Sequence, residues 1–136
     1  MSALVLGFDG TDGARAALRE AARLAPLLDA PVVAAFAFGV SPLGGEVSDL
    51  SRTLHERGEA LLEEAVTALR AAGVEARGEL LDTHPAEGLA ALAEQEDAQM
   101  IIVGTYGERP LKALLLGSTS NKLVHLTARP VLVVRG

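Results

Sequence analysis

The chain has 136 residues, a formal net charge of −6, no cysteine, and 49% apolar residues that include only three Phe and one Tyr. That length predicts one domain able to bury about two-thirds of its unfolded surface, in a core built from Ala, Leu and Val. The cysteine-free composition excludes disulfide staples and thiol chemistry and points to an intracellular, cytoplasmic setting; the acidic balance argues against a general nucleic-acid binder, which needs a basic surface.

The opening residues carry no basic n-region and reach Asp9 after a few apolar positions. They predict a first strand over residues 3–9, and neither a signal peptide nor a membrane span. Ala14, Ala17, Leu18, Ala21, Leu24, Ala25 and Leu28 then recur at helical spacing, with Asp12 as the expected N-cap. Pro31 opens a second apolar run, residues 32–38, which stops at Gly39; residues 39–46, with Pro42, Gly44 and Gly45, read as a surface loop. Leu54, Leu61, Leu62, Ala65, Val66 and Leu69 mark a long second helix closed by Gly73. Residues 74–81 alternate apolar and polar, which suits a strand near a sheet edge. A short helix follows over residues 86–96 with Pro85 in its first turn, then a fourth strand over 99–103, a helix over 118–126 and a fifth strand over 130–134.

Strand–helix alternation over five strands implies a doubly wound α/β domain, a parallel sheet with helices on both faces. Ligands of such sheets bind beyond the carboxyl ends of the strands, where the winding reverses. Two turns in those places stand out. One follows the first strand and runs Phe8-Asp9-Gly10-Thr11-Asp12-Gly13; the other follows the fourth strand and holds Gly104 and Gly107, then nine residues, then Gly117-Ser118-Thr119-Ser120. Glycines let a backbone approach an anion, and a helix start offers unpaired N–H donors at the positive end of its dipole. The second turn therefore suits a phosphate, or alternatively is a plain strand–loop–helix junction with Ser as N-cap. It lies in the one basic segment. Residues 1–103 carry seven Arg against seventeen Asp and Glu, whereas residues 104–136 carry Arg109, Lys112, Lys122, Arg129 and Arg135 against Glu108 alone. A solvated basic tail is the other reading of that asymmetry.

The spaced pattern at 104–118, preceded by Ile101-Ile102-Val103 and followed by Arg129-Pro130-Val131-Leu132-Val133-Val134, resembles the universal stress protein family. The opening Val5-Leu6-Gly7-Phe8-Asp9-Gly10-Thr11 is similar to the family's first strand and turn, so the resemblance spans the whole chain in order. It implies a five-stranded sheet of order 3-2-1-4-5, a homodimer, and ATP binding in members that carry the glycine motif. Carried over by position, it implies that Asp9 contacts the ribose or adenine end and that Gly7, Ala37 and Val103 line the base pocket. Gly104, Gly107, Gly117, Ser118, Thr119 and Ser120 are then expected to hold the phosphates of ATP, AMP or another adenine nucleotide. The chain departs from the family at Glu108 and Pro110, at Asp82-Thr83-His84-Pro85, where Gly-x-Pro is usual, and at Thr119, where an apolar residue is common. A carboxylate at 108 either repels a triphosphate or recruits Mg2+ or Mn2+.

His55, His84 and His125 have no ligand-spaced partners, so no protein metal site is expected, and no catalytic residue is assigned. The expected order puts the last strand at the edge although Val131, Leu132, Val133 and Val134 are all apolar. Such an edge needs cover, and a second copy across a two-fold axis supplies it. The leading expectation is a cytoplasmic ATP-binding regulatory homodimer that contacts neither nucleic acid nor membrane. A slow ATP hydrolase or phosphate-transferring enzyme, and a ligand-free dimeric adaptor, are the alternatives.

Overall fold

The computed structural model describes residues 2–39, 47–105 and 118–136, with the side chains of residues 47, 48 and 118 outside that description. The elements run β1 (Leu4–Gly7), α1 (Asp12–Leu27), β2 (Val32–Ala37), α2 (Val47–Ala71), β3 (Ala76–Leu81), α3 (Pro85–Gln95), β4 (Met100–Gly104), α4 (Ser118–Leu126) and β5 (Val131–Val134). All strand pairs are parallel and the order is β3-β2-β1-β4-β5, as the alternation and the family resemblance predict.

Side chains of successive strand residues point to opposite faces, and this alternation divides the core in two. Leu4, Leu6, Val32, Ala34 and Ile102 pack beneath α1 and α2, against Ala17, Ala21, Ala25, Leu62, Ala65 and Leu69. Val5, Val33, Ala35, Ile101 and Val103 pack beneath α3 and α4, against Leu89, Leu92, Ala93 and Leu123. The small alanines of α1 let that helix lie close to the central strands, which is why so few aromatic residues suffice.

Three helices end in the same way. A residue with positive φ follows each C-cap, namely Asp29 (50°), Gly73 (81°) and Asp97 (49°). The next N–H then reaches back five residues: Ala30 to the Ala25 carbonyl (3.0 Å), Val74 to Leu69 (3.0 Å) and Ala98 to Ala93 (2.9 Å). These are Schellman closures, and in each the residue after the turn is buried and leads into the next strand. Gly73 takes the expected place. Val74 does not: its apolar side chain belongs to the cap, and β3 begins only at Ala76.

The N-cap of α1 is also displaced from the expected residue. Thr11, with extended backbone, accepts the Ala14 N–H on its hydroxyl, while Asp12 stands one residue later in the first turn, where a carboxylate still favours the helix dipole. The chain leaves β1 for α1 on one face and leaves β4 for α4 on the other. The carboxyl ends of these two neighbouring strands thus diverge and open a crevice.

Candidate functional site

The crevice is a cavity of about 140 Å³ at the carboxyl ends of β1, β2 and β4. Gly7, Asp9 and Thr11 line it from the first turn, Ala35 and Ala37 from β2, and Pro85 and Leu89 from α3. Val103, Gly104 and Thr105 close it from β4, with Thr119 and Ser120 from the first turn of α4. Of the sequence-predicted residues, Gly7, Asp9, Ala37, Val103, Gly104, Thr119 and Ser120 thus meet at one place. Gly107 and Gly117, with Glu108 and Pro110, lie outside the described residues, as does the side chain of Ser118.

Each wall has its own chemistry. Asp9 Oδ1 accepts the Thr11 N–H (3.1 Å) and the Thr11 hydroxyl (2.6 Å), so the carboxylate braces the turn that it sits in. At the start of α4 Ser120 is buried, 1% exposed, beside the half-buried Thr119. A Cβ at Gly7 would sit 3.1 Å from Leu89 Cδ1 and 3.2 Å from Val103 Cγ1, tighter than ordinary contact, so Gly7 lets these two side chains close on β1. The arrangement offers apolar lining from Ala35, Ala37, Leu89 and Val103, a carboxylate in the β1 turn, and hydroxyls at the start of α4.

Gly104 has a further duty that its sequence context does not reveal. A Cβ there would lie 2.6 Å from the Gly13 carbonyl oxygen and 2.8 Å from the Ala14 nitrogen. Its bareness therefore lets the first turn of α1 rest against the end of β4, and any close approach of a ligand is additional to that packing.

The charge asymmetry also resolves into parts. Arg129 bonds Glu94 (2.9 and 3.1 Å), Asp97 (2.8 Å) and the Ala98 carbonyl (3.0 Å) at the amino ends of the strands, opposite the crevice. Hydrogen bonds from Arg129 hold both carboxyls below their ordinary range. Its charge therefore secures the entry to β5 and does not serve the crevice. Arg109 and Lys112 lie outside the described residues. His84 is exposed beside Gly39, and His55 Nδ1 lies 2.7 Å from Glu59 Oε1. Among the described residues no group of three or more His, Asp or Glu is placed to hold a metal ion, and no helix is long and apolar enough to cross a membrane.

Sequence reasoning put the hydroxyl of the first turn, Thr11, beside the crevice without assigning it a role, and missed Ala35, Pro85, Leu89 and Thr105 as lining residues. Thr11 had a legible signal, a hydroxyl two residues after the strand-ending aspartate. Leu89 and Ala35 had none, because an apolar residue facing a crevice has the same periodicity as one facing the core.

Comparison with known proteins bears on the family and the fold. The model of the universal stress protein family matches residues 1–135. A universal stress protein of Methanocaldococcus jannaschii is 31% identical over 137 residues, spanning 97% of this chain and 81% of that protein. The universal stress protein of Archaeoglobus fulgidus in complex with dAMP superposes with a TM-score of 0.77 at 25% identity, over 98% of both chains. A universal stress protein in complex with cAMP gives a TM-score of 0.77 at 26% identity, over 98% of this chain and 96% of that one.

Proposed function

We propose, from the premise that the chain belongs to the universal stress protein family, that it is a cytoplasmic regulatory protein whose crevice binds an adenine nucleotide. The observation that carries this reading is that the crevice lining divides between the β1 turn, with Asp9, and the end of β4 and start of α4, with Gly104, Thr119 and Ser120. A nucleotide needs such a division. Its ribose hydroxyls donate to a carboxylate, whereas its phosphates accept from N–H and O–H groups at a helix start. The base lies over Gly7 between Ala37 and Val103, and the phosphates run toward Gly104, Thr119 and Ser120, with Gly107, Gly117 and Ser118 completing the cradle. Relatives crystallised with dAMP and cAMP support the adenine class.

ATP is the proposed physiological ligand, with Mg2+ or Mn2+ carried by its phosphates. Binding, and not turnover, is the event, and the proposed assembly is a homodimer paired through Val131, Leu132, Val133 and Val134 of β5. All four residues are half-buried on a strand bonded to β4 alone. Calorimetric titration with ATP, AMP and cAMP, with and without magnesium, tests the reading. Saturable heat with at least one of them is expected, and no heat with any would overturn it.

A further inference from the structure

One hydrogen-bond chain in the crevice does more than hold a turn. Thr11 directs both its N–H (3.1 Å) and its hydroxyl (2.6 Å) at the same oxygen, Asp9 Oδ1. The hydroxyl oxygen in turn accepts the Ala14 N–H (3.2 Å) at the start of α1. A hydroxyl that accepts from the helix and donates to the carboxylate has its rotor fixed. The Asp9 carboxylate is held on one oxygen only, and Oδ2 accepts no hydrogen bond among the described residues.

An ionised carboxylate is acceptor-only, so a group that meets Oδ2 must bring a donor. Asp9 stands in the turn after β1, whereas the nucleotide reading assigns the phosphates to Gly104 and the start of α4. We propose, resting on the nucleotide reading above, that Thr11 is a positioning residue that makes Asp9 a reader of one ribose hydroxyl. The crevice then prefers ribonucleotides to analogues lacking that hydroxyl. The preference depends on preorganisation: with both Thr11 donors on Oδ1 the carboxylate is already oriented, and its ordering is not deducted from binding.

The test is a calorimetric comparison of AMP, 2′-deoxy-AMP and 3′-deoxy-AMP. The native chain should bind one deoxy analogue about tenfold more weakly than AMP, the effect of one hydrogen bond to a charged group. Thr11→Val removes the hydroxyl at nearly constant volume and should shrink that ratio to about twofold or less, while Thr11→Ser should retain it. Because Thr11→Val also removes the N-cap of α1, Thr11→Asp serves as a second variant. It keeps a capping acceptor for the Ala14 N–H but has no side-chain donor for Asp9, which leaves the backbone N–H alone on Oδ1, and it should lose the preference as well. A merely structural Thr11 would weaken all three ligands alike and leave the ratio unchanged in Val and Asp variants, which would overturn its role while sparing the nucleotide reading. Equal affinity of the native chain for all three ligands would overturn the ribose assignment. Failure of the native chain to bind AMP at all would overturn the nucleotide reading itself.

Discussion

Single residues here are constrained for different reasons, and substitution separates them. Gly73 holds φ at 81° with nothing within 4 Å of a modest side chain, whereas Gly104 is pressed against the Gly13 backbone. Gly73→Ala should cost about 1–2 kcal/mol of unfolding free energy in urea, purely from the left-handed backbone. Gly73→Asn should cost less, since Asn tolerates that region and Asp already occupies it at Asp29 and Asp97. At Gly104 the order should reverse. Ala should cost about 1–3 kcal/mol by forcing α1 off β4, and Asn more, because volume and not conformation is the obstacle. Equal costs for Ala and Asn at both positions would contradict this division. The contrast explains a limit of sequence reading. Gly73 was legible because its cause is local, the end of a helical period; the neighbour that demands Gly104 is 91 positions away and leaves no mark in the residues around it.

Elements were legible wherever periodicity alone sets them, and misread where side-chain capping competes. The five strands and four helices emerge from apolar spacing, yet Asp12 and Thr11 are both good N-caps by residue type, and only the geometry of the Ala14 N–H selects Thr11. The entry to β5 depends instead on the Arg129 network with Glu94 and Asp97. Both carboxyls are held below their ordinary range, so their contribution is fully present above that range and is lost as pH falls through the lowered folded values. Urea unfolding should therefore show Arg129→Met less stable than the native chain at pH 7. The gap should shrink below about pH 4 as the partners protonate, and narrow in high salt. A gap independent of pH would mean that Arg129 acts through its apolar stem and not through charge.

At the scale of the whole molecule, the two faces of the sheet and the diverging ends of β1 and β4 bring residues from six elements and two turns to one crevice. Its chemistry was half legible: glycines, hydroxyls and Asp9 announce themselves by type, while the apolar lining of Ala35, Leu89 and Pro85 is distinguishable from core only in three dimensions. The half-buried β5 edge bears on assembly. Val133→Lys should convert the proposed dimer to monomer in light scattering at micromolar concentration, with the far-ultraviolet spectrum retained. A native chain that is already monomeric under those conditions would refute pairing through this strand.

The crevice itself is tested most directly by following backbone amide resonances as AMP is added to the isotopically labelled protein. Shifts should concentrate at Gly7, Asp9, Ala37, Gly104 and Ser120, and leave Gly73 and Asp97 at the opposite end of the sheet unmoved. No shifts, or shifts centred on a separate cavity lined by Pro26, Asp29, Gly73 and Glu75, would contradict a nucleotide site between β1 and β4.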